Sequence, residues 1–357
     1  MRSPVEISWF GALCDDDYEF LGVPDPALIS SWGHCRDIVQ NADRNGFDNI
    51  LLPSGYQLGI DSTAFASAIA THTEQIHLLL AVRVGEMWLP QLARQLATID
   101  QLASGRLTIN IVSSDMPGQA LESEPRYRRT VEYIHGLRAL LNGERLEVNG
   151  EFAAFDLDPP RIATVEPGCP PMYFGGFSEA AKACAAEAAD VFLTWPDTVT
   201  SVAETIDDMR SRAEGFGRTL GYGLRAHMIV RETEPEARLA ANRLITRLDA
   251  GAGAAIKGKS LDTQSVGVSR QNELRAGADD DGYVEANLWT GVGRARSGAG
   301  AAIVGDPDQV VAKLRAYQDV GVDAFILSGY THIAECDLVA EHVLPNIEHS
   351  ALRPRWS

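Results

Sequence analysis

The chain has 357 residues, of which 45% are hydrophobic and 22% are charged, and its formal net charge is −18. This composition excludes a disordered chain and is sufficient for one large domain or two ordinary ones. The acidic balance and the lack of basic runs argue against nucleic acid, which is bound through clustered Lys and Arg. An anionic small ligand would need arginines gathered at one place.

Five cysteines are present, and they show no Cys-x-x-Cys spacing and no accompanying histidine pair. We therefore expect neither a disulfide framework nor a metal site, and the odd number indicates a reducing compartment. The N-terminus lacks the apolar core of a signal peptide, and about 18 consecutive uncharged apolar residues occur nowhere. A cytoplasmic protein without a membrane partner is expected.

Short apolar runs alternate with segments of helical periodicity along the chain. Most runs are continuously apolar, which is typical of parallel strands covered on both faces. The eight predicted strands are 7–13, 49–53, 76–84, 106–113, 171–174, 191–195, 224–231 and 323–327, and the predicted helices are 28–45, 92–103, 126–141, 178–188, 202–217, 234–248 and 308–320. This order predicts an α/β fold, a (β/α)8 TIM barrel formed by residues 1–357 as a single domain.

Two stretches interrupt the alternation. Residues 145–169 have the pattern of a hairpin insertion before the fifth strand. Residues 250–301 form a long polar, Gly-containing insertion between strands seven and eight. We interpret it as a lid, because loops after barrel strands form the active-site rim; a solvated excursion is the alternative.

Arg225 and His227 lie two apart in an apolar run, so that on a strand both side chains share one face. Two potentially cationic groups on a buried face require an anionic or hydrogen-bonding partner. Arg296 and Tyr330 stand in Gly-rich segments further along the chain. Together the four predict an oxyanion site, unless Arg225 pairs with an acid and His227 is a satisfied core histidine.

Other residues at strand ends allow a functional and a structural interpretation. Gly175 and Gly176 precede the helix cap Ser178, an arrangement that can receive a phosphate or be an ordinary turn. Asn110 and Tyr127 could contact a heterocycle and a phosphate, or serve only the fold. His332 is expected to begin a helix. The acidic run 15–17 is expected to be a solvated loop, because adjacent carboxylates repel one another.

The sequence resembles the bacterial luciferase-like flavin monooxygenases, and within them the alkanesulfonate and methanesulfonate monooxygenases. The similarity extends over nearly the whole chain. It includes Ala93-Arg-Gln-Leu-Ala-Thr-Ile-Asp-Gln-Leu-Ala-Ser-Gly-Arg106, Arg126-Tyr127, Tyr173-Phe-Gly-Gly176, Leu193-Thr-Trp195, Asn287-Leu-Trp-Thr-Gly-Val-Gly293 and Leu327-Ser-Gly-Tyr330. Motifs of this length and order are specific for the family and less specific for a substrate.

The resemblance implies a homodimer or homotetramer in which FMN arrives as FMNH2 from a separate NAD(P)H-dependent flavin reductase. Reaction with O2 would give a flavin peroxide that oxidises a small, possibly anionic substrate, in the sulfonate enzymes with release of sulfite and an aldehyde. The implied flavin-binding residues are Asn110, Tyr127, Gly175, Gly176, Phe177, Ser178 and Trp195. Arg225, His227, Arg296 and Tyr330 match the substrate end.

Three positions depart from the sulfonate enzymes. Leu58 stands where they carry a cysteine, Cys14-Asp15 aligns with a Thr-His pair, and Ser123 aligns with a histidine. A simple unbranched alkanesulfonate is therefore less secure as the substrate. Oxidation of another organosulfur or carbon–heteroatom compound, a deazaflavin-dependent oxidoreductase and a non-catalytic flavin-binding barrel stay open as alternatives.

Overall fold

The computed structural model describes residues 3–57, 59–116, 118–119, 121–249, 251, 253, 265–296 and 298–352. Eight parallel strands close into a barrel, which confirms the predicted TIM barrel. The strands are β1 (Glu6–Phe10), β2 (Asn49–Leu52), β3 (His77–Arg83), β4 (Leu107–Val112), β5 (Met172–Gly175), β6 (Val191–Thr194), β7 (Gly221–Val230) and β8 (Ala324–Ser328). Strand β7 pairs with both β6 and β8, and β8 pairs with β1, so the barrel has no open edge.

Helices surround the barrel. They are α1 (Trp32–Arg44), α2 (Ser62–Ile69), α3 (Leu89–Leu102), α4 (Ser123–Leu141), α5 (Glu179–Ala188), α6 (Val199–Gly215), α7 (Glu234–Leu244), α8 (Val266–Ala276), α9 (Pro307–Asp319) and α10 (His332–His342). Side chains at several N-termini satisfy backbone donors that the helix leaves free. Asp306, for example, forms a reciprocal capping box with Gln309 at the start of α9. Within these ranges no helix is long and apolar enough to cross a membrane.

The insertion between β7 and β8 returns to the barrel as a strand. Residues Ala302–Gly305 pair in parallel with the second half of β7, beyond the part that pairs with β6. Two short strands, Tyr283–Glu285 and Leu288–Trp289, extend this edge in antiparallel fashion. The sequence predicted neither these strands nor α8. A separate antiparallel hairpin lies at 146–157.

Side chains alternate between the barrel interior and the helical shell. Phe10, Leu51, Leu79, Tyr173 and Ile326 belong to one interior cluster, whereas their strand neighbours pack with the helices. This is the two-residue period of a β-strand. Because the period holds on every strand, polar residues at interior positions near the carboxyl ends of the strands face the end where barrel enzymes place their active sites.

A buried carboxyl group lies at the opposite end of the barrel. Glu6 is fully buried and accepts hydrogen bonds from Ser8, Asn49, Tyr173 and the backbone of Leu352. Burial raises the pKa of Glu6 above its ordinary value of 4.5. The folded protein therefore holds this proton more tightly than the unfolded chain does.

We expect Glu6 to make the protein less stable as the pH rises from about 4.5. The unfolded chain loses the Glu6 proton first, so the free energy of unfolding falls with rising pH until the folded group also ionises, by up to about 1.4 kcal/mol per pH unit. Urea denaturation of wild type and Glu6→Gln, compared at several pH values, should show the variant gaining stability relative to wild type as pH rises. A difference independent of pH would contradict the raised pKa.

Candidate active site

Arg225 and His227 share one face of β7, as their spacing predicts. They lie opposite Ile326 and Ser328 on β8. Arg225 Nη1 donates to the carbonyl oxygens of Ala226 (2.7 Å) and Ile326 (3.4 Å), and Nη2 donates to Ser328 Oγ (2.8 Å). None of the ion pairs among the described residues includes Arg225, although the chain has 49 acidic residues. The guanidinium is thus buried without a counter-ion.

An aromatic ring supports this cation. Phe10, the last residue of β1, lies with its ring centroid 4.4 Å from the guanidinium carbon of Arg225 and 5.2 Å from that of Arg296. A ring face attracts a cation but does not replace a carboxylate. Burial, with a smaller effect of Arg296, lowers the pKa of Arg225 to about 9. The site therefore favours a bound anion, which would restore the charge balance.

His227 is held by the same serine that meets Arg225. Ser328 Oγ lies 2.8 Å from His227 Nδ1 and accepts a hydrogen bond from Arg225, which can only donate. The contact fits a Ser328 hydroxyl that donates to Nδ1, in which case the ring proton is on Nε2. Burial and the charge of Arg225 hold the pKa of His227 well below its ordinary value, so the ring is neutral.

The other ring nitrogen of His227, Nε2, is buried without a hydrogen-bond partner among the described residues. His227 as a whole is 1% exposed. The Ala299 backbone approaches the ring without meeting hydrogen-bond geometry, and the Tyr330 ring stacks on it at 5.2 Å. A buried polar group without a partner is costly. Nε2 and the Arg225 guanidinium both offer protons to an acceptor.

Arg296 joins three separate parts of the chain. Its Nη1 lies 2.7 Å from Asp16 Oδ2 in the loop after β1 and donates to the Tyr330 hydroxyl at 3.1 Å. Burial lowers the pKa of Arg296, but Tyr330 and Asp16 together raise it by more than burial lowers it. The pKa of Arg296 is therefore above its ordinary value. The four predicted residues of the substrate end, Arg225, His227, Arg296 and Tyr330, are therefore brought together, and Arg296 already has a counter-ion.

The acidic run 15–17 is not a solvated loop, and that expectation is wrong. Asp17 is 3% exposed, and its two carboxylate oxygens lie 3.0 Å from ring nitrogens of His34 and His332. These imidazoles hold the pKa of Asp17 well below its ordinary value despite its burial. His332 begins α10, as predicted. Basic partners from distant segments thus overcome the repulsion between adjacent carboxylates.

The predicted flavin-phosphate residues lie where β4 and β5 end. A Cβ atom added to Gly176 would lie 3.7 Å from the Tyr127 hydroxyl, and one at Gly175 would lie 2.5 Å from the Leu193 carbonyl oxygen. Ser178 caps α5, with Oγ accepting from the Ala181 amide at 3.2 Å. Both glycines are thus needed for close packing of the chain, and the start of α5 beside them offers backbone N–H groups to an anionic group.

Side chains with unsatisfied hydrogen-bond donors lie near Tyr127 in the sequence, at the end of β4 and in the first turns of α4. Ser114 Oγ and the Nε atoms of Arg126 and Arg129 are buried and have no hydrogen-bond partner among the described residues. Asn110, on β4, is half-buried, and its side-chain amide likewise bonds to no described group. Donors of this kind fit the phosphate and the flat ring edge of FMN.

Two further aromatic residues form a wall shared with the insertion. The rings of Phe177 and Trp195 lie 5.5 Å apart, and α8 packs so closely that a Cβ at Gly267 would be 2.6 Å from Trp195. Arg270 of α8 forms an ion pair with Asp197 at 2.8 Å. Of the predicted lid, residues 251, 253, 265–296 and 298–301 are described, and they cover this side of the barrel mouth.

Sequence reasoning missed three residues of this site: Phe10, Asp16 and Ser328. Ser328 stands in the predicted Gly-rich segment and could have been found as a polar residue ending an apolar strand. Leu58, which replaces the family cysteine, lies outside the described residues, and Ser123 begins α4 in an exposed position. In the described ranges no group of three or more His, Cys, Asp or Glu is arranged to hold a metal ion.

Comparisons with known proteins agree with this architecture. The model of the luciferase-like monooxygenase family matches residues 20–324. A sulfoquinovose monooxygenase of Novosphingobium aromaticivorans is 61% identical over 97% of this chain and 98% of its own length. A sulfoquinovose monooxygenase of Agrobacterium fabrum is 46% identical over 97% and 91%.

Solved structures show the same fold at low sequence identity. An EDTA monooxygenase from Chelativorans sp. BNC1 superimposes with a TM-score of 0.76 at 16% identity, over 99% of this chain and 97% of that one. The extent of the family match and the two sequence relatives identify the family. The chain belongs to the luciferase-like monooxygenases.

Proposed function

We propose that the protein is an FMNH2- and O2-dependent monooxygenase that oxidises sulfoquinovose, a glucose with a sulfonate on carbon 6. A separate NAD(P)H-dependent flavin reductase would supply the reduced flavin. The observation that carries the proposal is the buried Arg225 guanidinium, which has no carboxylate partner and lies beside the unsatisfied Nε2 of His227. Two relatives of 61% and 46% identity that are sulfoquinovose monooxygenases support the substrate.

Arg225 and His227 would bind the sulfonate. Arg225 donates from a planar group that matches an oxyanion, and neutral His227 donates from Nε2 without adding a second charge. Ser328 fixes both donors, because it accepts from Arg225 and donates to His227 Nδ1. Such preorganised donors bind an anion without reorganisation in a site from which water is excluded.

A reduced flavin held by Asn110, Tyr127 and Ser178 would supply the two electrons that O2 needs, with one oxygen atom going to the carbon that bears the sulfonate and the other to water. The products are sulfite and an aldehyde at that carbon. Arg296 and Tyr330 close the mouth of the barrel over this reaction and keep water out.

The substrate proposal is tested by sulfite release. Purified protein with FMN, NAD(P)H and a flavin reductase should convert sulfoquinovose into sulfite, with a kcat/KM at least about 10-fold above that for hexanesulfonate, because unpaired polar groups of the site reject an apolar chain. A reaction with FMN and NAD(P)H but without reductase is the control and should give none. No sulfite from sulfoquinovose while FMNH2 is supplied would exclude the proposed activity.

Arg296 should be needed for coupling. In Arg296→Ala the contact between the insertion and the loop after β1 is lost, so water enters and reduced flavin is oxidised without product. We expect several-fold less sulfite per NAD(P)H and correspondingly more H2O2. Arg294→Ala removes an exposed arginine from the same segment and is the matched control. Equal coupling in both variants would refute this role.

We expect Arg225 to bind the sulfonate and to lower the stability of the folded protein. Arg225→Met removes a buried charge without a counter-ion, so we expect the unfolding free energy to rise by about 1 kcal/mol while sulfonate oxidation is lost. Arg231 forms an ion pair with the buried Glu335. Arg231→Met leaves that carboxylate without its partner and should instead lower the unfolding free energy by about 2 kcal/mol. Denaturant titration compares the two. Equal destabilisation would show that Arg225 is already neutralised.

A further inference from the structure

The charges at the substrate end of the barrel are unequal in number. Arg225 and Arg296 contribute two guanidinium groups, but Asp16 is the one carboxylate within salt-bridge distance of either among the described residues. His227 and Tyr330 are neutral, because burial lowers the pKa of the histidine and raises the pKa of the tyrosine. The described part of the pocket therefore has one uncompensated positive charge.

Neighbouring acids do not alter this balance. The Asp17 carboxylate meets the rings of His34 and His332, each at 3.0 Å. Asp15 accepts from the backbone amide of Ser30 at 2.8 Å and forms no ion pair with any arginine that the structure describes. Asp16 differs from both, because one oxygen binds Arg296 and the other, Oδ1, is buried without a hydrogen-bond partner.

We propose that Asp16 sets the charge of this pocket, so that it admits a sulfonate monoanion and rejects the phosphate dianion of the same sugar. This inference rests on the proposed function and names a residue that determines its specificity. Sulfoquinovose and glucose 6-phosphate share the glucose ring and carry their anionic groups at carbon 6. A sulfonate has one negative charge, whereas a phosphate monoester has between one and a half and two at neutral pH.

One uncompensated cation neutralises the sulfonate completely. A phosphate dianion would leave a second negative charge buried beside Asp16, and a buried charge without a partner is strongly unfavourable. Compared with this difference in charge, the size and shape of the two sugars contribute little to discrimination in binding. The flavin contributes the same charge to both complexes, so the ratio of the two dissociation constants reports on the protein groups.

The test measures equilibrium binding of sulfoquinovose and glucose 6-phosphate to the FMN-loaded protein by calorimetry. Wild type should bind the sulfonate on the order of 100-fold more tightly. Asp16→Asn keeps the size of the side chain and an acceptor for Arg296 but removes the negative charge. Asp16→Asn should lower the ratio of the glucose 6-phosphate dissociation constant to that of sulfoquinovose at least about 10-fold. Most of this change should come from tighter binding of glucose 6-phosphate.

Two further variants make the result specific. Asp16→Glu retains the charge and should retain most of the discrimination. Glu19→Gln removes the same charge from a solvent-exposed ion pair with Arg243 and should leave the ratio unchanged. A ratio in Asp16→Asn equal to that of wild type, or equal binding of both sugars by wild type, would overturn the proposal.

A second pair of probes needs neither a variant nor the sugar. Methanesulfonate and methylphosphonate have nearly the same shape, and at a pH between the second pKa of methylphosphonate and the lowered Arg225 pKa of about 9 they carry one and two negative charges. The wild-type holoprotein should be stabilised against heat by the monoanion only, and equal thermal shifts would overturn the charge rule. If this preference holds but sulfoquinovose yields no sulfite, the substrate proposal fails alone. If sulfite forms but Asp16→Asn leaves the ratio unchanged, the charge rule fails alone.

Discussion

A guanidinium buried inside the barrel without a counter-ion is the constraint on which the substrate end depends. Among the described residues, Arg225 donates to two carbonyl oxygens and a hydroxyl, and none of these groups offsets its charge. Removing a cation from water costs several kcal/mol unless an anion meets it. The apolar core between the strands and the helices stabilises the fold and offsets this cost. An anionic substrate would relieve the imbalance when it binds.

The surrounding groups keep that charge from being neutralised by the protein itself. Ser328 directs a neutral His227 toward the same space, so the second donor adds no charge. The Asp16 carboxylate raises the pKa of Arg225 slightly, but its ion pair is with Arg296. The same ion pair ties the insertion to the loop after β1, while Phe10 lies beneath both arginines. In the proposed function, charge selection and closure of the barrel mouth therefore depend on one connected group of residues.

Local sequence patterns were sufficient for the barrel and for part of the site. Continuous apolar runs predict parallel strands because burial on both faces leaves no alternation, and the two-residue spacing places Arg225 and His227 on one face. The partners of Asp16 and Asp17 could not be predicted, because they lie 280 and 315 positions away along the chain. The outer strands of the insertion have two to four residues and leave no periodic pattern.

The central claim is that Arg225 is the anion-binding group of a sulfonate monooxygenase. A crystal structure of the protein with FMN and sulfoquinovose tests it most directly. The account predicts sulfonate oxygens within hydrogen-bond distance of the Arg225 guanidinium and of His227 Nε2, with Asp16 still bound to Arg296. A sulfonate bound elsewhere, with Arg225 still bonded only to Ser328 and backbone carbonyl oxygens, would contradict it.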